Sequence, residues 1–255
     1  MTQEINIFLP MRAGSQRVMR KNTRQFSDIR GGLCQIKLEQ LLSCPSIGKI
    51  FVSTDDDTVI EIARNFNSQR IKVLNRPASL ATSEASTDDL IRHASEVMPD
   101  GHILWTHVTS PFVNANIYEK IVKTYRENLS QFDSLMTVTR IQKFIWNEQE
   151  PINYDQRLEK WPRTQTLKPI WEVNSACFLT SKEIYKRKFN RIGEHPFLFE
   201  LNQEIAFDID WPADFKIAEA MYNGTRTHDK HCSLDNSFLQ IDDKASQNNQ
   251  NYTAM

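Results

Sequence analysis

The chain has 255 residues, of which 40% are hydrophobic and 25% charged, and its formal net charge is −1. This length and composition predict one α/β domain with at most a small appendage, and they exclude a chain that is disordered throughout. The balanced charge gives no general attraction to nucleic acid or to an anionic membrane, so any anion-binding site must be a local feature.

Apolar segments of strand length alternate with segments of helical periodicity along most of the chain. The pattern predicts strands at residues 5–9, 49–53, 71–74, 102–108, 134–139 and 175–179. Between them, apolar residues recur at helical spacing, and capping residues at 54–57 and at Ser86 indicate where two of the helices begin. This alternation predicts a mostly parallel sheet that is covered by helices on both faces.

Two stretches interrupt the alternation. The segment 140–171 contains three of the five tryptophans without a clear period, and we expect an arm that packs elsewhere, for instance on a second subunit. The polar segment 223–255 is expected to be a flexible tail, which leaves residues 1–222 as the folded domain. Three residues of this tail have the composition of a metal site, although a solvated tail is the favoured interpretation: His228, His231 and Cys232.

Neither a membrane span nor an export signal is expected. No apolar run reaches the roughly 20 residues that a membrane helix needs, and the first residues lack the basic segment of a signal peptide. The four cysteines form no C-x-x-C pair, and we expect free thiols in a reducing compartment: Cys34, Cys44, Cys177 and Cys232. These features predict a cytoplasmic protein.

The loop after the first predicted strand is rich in positive charge. Four cations fall within ten residues: Arg12, Arg17, Arg20 and Lys21. Gly14 and Ser15 can turn the backbone and present its N–H groups, and amide dipoles with forked cations are what a polyphosphate requires. A solvated basic loop is the alternative. The loop is neither a P-loop nor a G-x-G-x-x-G turn, and a chain with 7 glycines gives little support to a dinucleotide enzyme.

A pair of carboxylates, Asp208 and Asp210, follows an apolar run near residue 207. In a strand, residues two apart share a face, so both carboxylates are expected to point the same way. Such a pair repels itself unless a cation lies between the two groups, and Mg²⁺ prefers oxygen ligands. The pattern therefore favours a metal site over a helix cap before Pro212, because the cap explains only Asp210.

Weaker signals follow two other predicted strands. The segment 106–112, T-H-V-T-S-P-F, ends a central strand with polar groups that suit a sugar or a base, and an ordinary turn explains it equally well. Arg76, followed by Pro77, suits either a ligand contact or a loop start.

Taken in order, six blocks resemble the acylneuraminate cytidylyltransferase family. They are R-A-G-S-Q-R-V-M-R-K-N at 12–22, V-S-T-D-D at 52–56, R-P-A-S-L-A-T-S-E-A-S-T-D-D at 76–89, T-S-P-F at 109–112, R-T-Q with N-S-A at 163–165 and 174–176, and D-I-D at 208–210. The resemblance covers about residues 5–222. It implies a Rossmann-like nucleotidyltransferase fold in which 140–171 is the dimerisation arm of a homodimer.

The resemblance also implies an activity and its residues. CMP would pass from CTP to the anomeric hydroxyl of a sialic, legionaminic, pseudaminic or 3-deoxy-octulosonic type of acid, with Mg²⁺, or alternatively Mn²⁺, held by Asp208 and Asp210. The implied CTP site comprises Arg12, Ala13, Gly14, Ser15, Arg17, Lys21, Asn22, Arg76 and Ser86. The implied sugar site comprises His107, Thr109, Ser110, Arg163, Gln165 and Asn174. Arg12, Lys21, Asp208 and Asp210 would be the catalytic residues.

The chain departs from the family pattern at several of these positions. Gln16 replaces a usual Lys, Met19 a usual Pro, His107 a usual Gln and Ser175 a usual Gly, and Glu172 stands where the sialic acid enzymes tend to carry Arg. These departures leave the sugar open. They also leave open a second hypothesis, a CTP-binding relative that does not turn over. An oxidoreductase is a third and less favoured hypothesis, because the glycine fingerprint is missing.

Overall fold

The computed structural model describes residues 3–231 of the chain and the side chains of residues 3–225. Seven strands form one sheet: β1 (Ile5–Met11), β2 (Ile50–Thr54), β3 (Ile71–Asn75), β4 (His102–Thr106), β5 (Ser134–Ile141), β6 (Ile170–Ser181) and β7 (Pro196–Glu200). The helices are α1 (Gly32–Leu42), α2 (Asp57–Asn65), α3 (Thr87–Val97), α4 (Ala115–Asn128), α5 (Lys182–Lys188) and α6 (Pro212–His231). Two short 3₁₀ turns lie at Ala78–Leu80 and Thr164–Thr166.

The strand order is β3-β2-β1-β4-β6-β5-β7, and four of the six pairings are parallel. Only β6 runs against its two neighbours, β4 and β5. The prediction of a mostly parallel sheet is therefore confirmed.

Helices cover both faces of the sheet, as the sequence predicts. Alternate side chains of β1 point to opposite faces, so Ile7 and Leu9 join an apolar layer with α1, α2, α4 and α6. Phe8 joins a smaller layer with α3 and α5, which includes Trp105 and Tyr185. The predicted caps are also present: the side chain of Asp56 caps α2 and that of Ser86 caps α3.

The direction of the strands places one edge of the sheet where a site can form. β1, β4, β5 and β7 all end at this edge, and the first half of the antiparallel β6 lies at the same edge. In open α/β sheets, ligands bind beyond the carboxyl ends of the strands, where the order of the strands reverses. The ends of β1 and β4 meet this description.

Three sequence predictions need correction. Residues 207–210 are not a strand, because no neighbouring strand supplies ladder hydrogen bonds there. The segment 223–231 belongs to α6, so the helix crosses the predicted boundary at 222; residues 232–255, and the side chains of His228 and His231, lie outside what the structure describes. The ends of the predicted arm belong to strands, because β5 continues to Ile141 and β6 begins at Ile170.

Candidate active site

A polar cavity of about 420 Å³ lies between the ends of β1 and β4. One wall is the cationic loop 12–22, and the opposite wall is the start of the loop after β4. The residues that line it include Arg12, Ser15, Gln16, Arg17, Lys21, Asn22, Ser83, His107 and Thr109. Three cations facing one cavity make it suitable for a polyphosphate.

The backbone of the cationic loop is held in place by local hydrogen bonds. Gly14 adopts φ +70°, a conformation that favours glycine. The N–H of Ala13 donates to the Asp55 carboxylate at 2.8 Å, and the Asn22 amide donates to the Arg12 carbonyl at 3.0 Å. The Arg12 guanidinium, by contrast, reaches only the carbonyls of its neighbours Ala13 and Gly14, at 3.3 and 3.2 Å.

Arg76 immediately follows β3, is buried and does not line this cavity. Its guanidinium donates to the carbonyl and the hydroxyl of Ser53, at 2.9 and 3.3 Å. Burial lowers the pKa of Arg76 to about 10, while Asp55 acts in the opposite direction, so the side chain is charged at neutral pH. The side chain thus fixes the ends of β2 and β3 together.

Asp208 and Asp210 lie in the loop that leads into α6. The chain is anchored there by Ile209, which is fully buried and whose N–H donates to the Thr109 carbonyl at 3.0 Å. The Thr109 side chain hydrogen-bonds Asp208, and burial raises the pKa of this carboxyl group. The two acids therefore share a location even though no strand aligns them.

The helix cap that could have explained Asp210 is made by another residue. The Asp214 carboxylate accepts from the N–H groups of Asp210 and Trp211, at 3.1 and 2.7 Å. The Asp210 carboxylate instead pairs with Arg17 at 3.1 Å and with Lys21 at 3.7 Å. Burial lowers the pKa of Lys21, and its ammonium also donates to the Ile209 carbonyl at 2.7 Å. These contacts join the cationic loop to the acidic loop.

A second cavity, of about 640 Å³, lies on the other side of the two acids. Its lining includes Asp208, Asp210, Thr139, Lys143, Glu172, Asn174, Ser175, Gln203 and Phe207. Asp208 and Asp210 thus line this cavity while they contact residues of the first one. Ligands bound in the two cavities could bring their reacting groups together near the acid pair.

A bulge in β6 forms part of the second cavity. The pairing of β5 with β6 is interrupted between Met136 and Val138, and Ser175 adopts φ +58° in this interruption. The side chain of Asn174 stabilises the bulge. Its Nδ2 donates to the Thr139 hydroxyl at 3.1 Å, and its Oδ1 accepts from the backbone N–H of Ala176 at 3.2 Å. A left-handed backbone here explains why the related pattern has Gly at the position of Ser175.

His107 lines the first cavity, and one hydrogen bond fixes the tautomer of its ring. The indole N–H of Trp105 donates to its Nε2 at 2.9 Å, so the neutral ring carries its proton on Nδ1. Burial, and next the positive charge of Arg191, lowers the pKa of His107 to about 3. The imidazole is neutral at physiological pH and offers one N–H donor.

The structure brings most of the proposed site residues to the two cavities, but some lie elsewhere. Ser86 caps α3, and Ser83 lines the first cavity instead. Ser110 is fully buried and lines neither cavity. Arg163 and Gln165 are exposed on the arm and likewise line neither.

Lys143 is a cavity residue that the sequence interpretation missed. It follows β5, and it lines the second cavity, where its ammonium suits the carboxylate of a sugar acid. The strand-end rule that selected Arg12 and Thr109 would have selected Lys143 if it had been applied to the fifth strand.

The acid pair fits a magnesium ion only with help from a ligand. Among the residues that the structure describes, no group of three or more His, Cys, Asp or Glu side chains could hold a metal. Mg²⁺ is commonly bound by one or two carboxylates together with substrate phosphates and water. Asp208 and Asp210, beside a cationic cavity that suits phosphates, match this donor set.

The arm exposes large apolar side chains next to the second cavity. Its fold depends on buried Asn153, whose amide donates to the carbonyls of Lys143 and Lys168 at 2.7 and 3.1 Å. Large apolar residues in and beside the arm are exposed: Phe144, Trp146, Ile152, Leu158, Trp161, Trp171 and Val173. Val173 also lines the second cavity, so this apolar patch is continuous with the site.

Comparison with known proteins identifies related sequences over nearly the whole described chain. The sequence model of a family described as "Cytidylyltransferase" matches residues 7–231. A pseudaminic acid cytidylyltransferase of Campylobacter jejuni is 26% identical over 225 residues, which cover 84% of this chain and 94% of the relative. An N-acylneuraminate cytidylyltransferase of Escherichia coli is also 26% identical over 225 residues, which cover 86% of this chain and 52% of that protein.

Solved structures agree on the fold. A CMP:2-keto-3-deoxy-manno-octonic acid synthetase complexed with CTP has a TM-score of 0.60 and 16% identity, and the match covers 87% of this chain and 99% of that one. A 4-diphosphocytidyl-2C-methyl-D-erythritol synthase from Anaerococcus prevotii has a TM-score of 0.59 and 13% identity, with the same coverage. Among residues 3–231, no helix combines the length and apolar character needed to cross a membrane.

Proposed function

This chain belongs to the cytidylyltransferase family and is a nucleotidyltransferase, and we propose that it transfers CMP from CTP to the anomeric hydroxyl of an acidic 2-keto sugar. The observation that carries this proposal is the position of Asp208 and Asp210, which line the second cavity and contact Arg17, Lys21 and Thr109 in the lining of the first. The cationic cavity suits a triphosphate, and the neighbouring cavity contains Lys143 and Asn174, which suit a sugar carboxylate and hydroxyl groups.

In the proposed reaction, the anomeric hydroxyl loses its proton to water, and its oxygen forms a bond to the α-phosphorus of CTP while the bond from that phosphorus to pyrophosphate breaks. Arg12, Arg17 and Lys21 bind the phosphates and neutralise the charge on the leaving pyrophosphate. Asp208 and Asp210 would hold Mg²⁺, which supplies charge neutralisation and orientation of the phosphates when bound. Arg17 and Lys21 also pair with Asp210, so these ion pairs link the residues that would bind the phosphates to the residues that would hold the metal.

Release of pyrophosphate tests this proposal. The protein is mixed with CTP, Mg²⁺ and each of four acids, of the sialic, legionaminic, pseudaminic and 3-deoxy-octulosonic type. Release with at least one acid, dependent on both CTP and the acid, is the expected result. A catalytically inactive CTP-binding protein is the alternative, because Gln16 faces the cationic cavity where related sequences usually carry Lys. Binding of CTP without release in the presence of any acid would favour that alternative.

We also propose that the active unit is a dimer in which the arm of one protomer completes the sugar site of the other. The exposed apolar patch of the arm supports this, since a contiguous patch of large apolar side chains is usually covered in a partner interface. Arg163 is exposed on the arm and lines neither cavity of its own protomer, which leaves its guanidinium available to a neighbouring site.

Mixing two impaired variants, at a sugar acid concentration well below the KM of the Arg163→Ala protein, tests the dimer. Arg163→Ala should raise the KM for the sugar acid and leave CTP binding unchanged. Its mixture with a protein that carries both Asp208→Ala and Asp210→Ala should regain part of the activity, because each mixed dimer then has one complete site. A mixture no more active than its components, or an active monomer in analytical ultracentrifugation, would contradict the proposal.

A further inference from the structure

Lys37 on α1 is a fully buried lysine that no step of the proposed reaction uses. Its ammonium donates to the carbonyls of Ser110 and Val113, at 2.9 and 3.2 Å, and to the Tyr118 hydroxyl at 2.9 Å. A lysine ammonium has three N–H donors, and these three contacts use all of them. A buried charge requires such partners, because removing it from water costs several kcal/mol, a general estimate for ions inside proteins.

The first two contacts restrain the loop that follows β4. Ser110 and Val113 belong to this loop, and the residue before Ser110 is Thr109. The Thr109 carbonyl accepts from the N–H of Ile209 at 3.0 Å, and the Thr109 side chain hydrogen-bonds Asp208. Lys37 therefore restrains the loop after β4, to which the loop containing Asp208 and Asp210 is hydrogen-bonded.

The third contact begins a chain of hydrogen bonds that ends at the bulge in β6. The Thr106 hydroxyl donates to the Ala176 carbonyl at 2.7 Å, so its oxygen must accept from the Tyr118 hydroxyl, which lies at 2.7 Å. The Tyr118 hydroxyl donates its one hydrogen to Thr106, so it accepts the hydrogen bond from Lys37. Ala176 follows Asn174 and Ser175, the bulge residues that line the second cavity.

We propose that Lys37 is a positioning residue whose three N–H donors fix both walls of the second cavity, the loop that holds the acid pair and the bulge in β6. The inference rests on the proposed function in that this cavity is taken as the sugar acid site. A buried charge is a poor source of stability, since well-packed apolar side chains often serve as well or better. The role of the ammonium here is to fix positions, because it donates to three acceptors on two segments, the loop after β4 and helix α4.

Hydrogen exchange measured by mass spectrometry at pH 6, where Lys37 keeps its proton and all three N–H donors, tests this without any substrate. Lys37→Met keeps the length of the side chain and removes all three donors, whereas Tyr118→Phe breaks only the branch to Thr106. Lys37→Met should increase exchange in both segments, 106–113 and 172–178. Tyr118→Phe should increase it in 172–178 alone. The β1–β3 half of the sheet should be unchanged in both variants.

Combining the two substitutions tests whether one branch acts through the other. The double variant should exchange no faster at 172–178 than Lys37→Met alone, because both substitutions break the same branch. The proposal would be overturned if Lys37→Met exchanged in these two segments at the same rate as the unmodified protein. An even increase over the whole sheet would overturn it as well, since that is the signature of general destabilisation. If Lys37→Met does not fold, Lys37→Gln, which is shorter and also uncharged, is measured in its place by the same criterion.

Kinetics add a second test, because loss of a residue that only stabilises the fold would not change the KM for the sugar acid selectively. Tyr118→Phe should raise the KM for the sugar acid by up to about tenfold, the upper limit that the free energy of one hydrogen bond sets, and change CTP affinity little. An equal loss for both substrates would contradict the inference. Failure of the unmodified protein to release pyrophosphate with any acid would contradict the proposed function and leave the exchange result as the decisive test of Lys37.

Discussion

Raising the pH should stabilise this protein relative to its Lys37→Met variant. Burial lowers the pKa of Lys37 to about 7, from an ordinary value of 10.5. The groups that face Lys37 do not offset this with negative charge: burial raises the pKa of both Tyr118 and Cys177, and His107 is neutral. Among the residues that the structure describes, no carboxylate forms an ion pair with Lys37.

The sign and size of the effect follow from proton linkage. Between pH 7 and about 10.5, the unfolded chain keeps the Lys37 proton while the folded chain releases it, so the unfolded state binds more protons. The free energy of unfolding therefore rises with pH in this window. For one group with these two pKa values, the increase between pH 7 and pH 9 is about 2 kcal/mol.

Urea unfolding of both proteins at pH 7 and at pH 9 measures this quantity. The difference in unfolding free energy between the unmodified protein and Lys37→Met is the readout, because tyrosines and cysteines common to both titrate in the same way and cancel. We expect the difference to move in favour of the unmodified protein by about 2 kcal/mol at pH 9. A difference that is the same at both pH values would refute the reasoning, since it would mean that the fold does not lower the pKa of Lys37.

Four other substitutions have defined outcomes. Asp208→Asn and Asp210→Asn should each lower turnover by about two orders of magnitude at limiting Mg²⁺ while circular dichroism is unchanged, and near-full activity in either would exclude it as a metal ligand. Arg12→Ala should weaken CTP binding by about 10- to 100-fold in titration calorimetry and cytidine binding hardly at all, because we propose that its guanidinium binds phosphate; equal losses would indicate a folding defect. Ser175→Gly should raise the unfolding free energy by about 0.5 kcal/mol, because it relieves the left-handed strain but costs glycine entropy. The same substitution at Ser79, which has no positive φ, should lower it, and a loss at both would refute the strain.

Local signals predicted those features whose causes are local. The cluster 54–57 and Ser86 predict helix caps, and Asp56 and Ser86 form them because the acceptor and the N–H groups lie within three residues of each other. The cationic loop was predicted from its composition, and its position at the end of β1 follows from the parallel alternation. These parts of the site need no contact between distant segments.

The wrong or missing predictions depend on distant segments. The alternation of Phe207, Asp208, Ile209 and Asp210 resembles a strand, but burial of Ile209 against the Thr109 loop produces the same pattern without a ladder. Lys37 has the sequence appearance of a solvated helix residue, and its three acceptors come from residues more than 70 positions later. No local pattern could indicate its burial.

The measurement that tests the central claim most directly is identification of the product by mass spectrometry. The protein is incubated with CTP, Mg²⁺ and each of the four sugar acids, and the mixture is analysed for CMP-linked sugar and pyrophosphate. We expect a CMP-sugar acid and an equal amount of pyrophosphate with at least one acid, and neither product when the protein carries both Asp208→Asn and Asp210→Asn. Unchanged CTP with every acid, under conditions in which CTP binds, would contradict it.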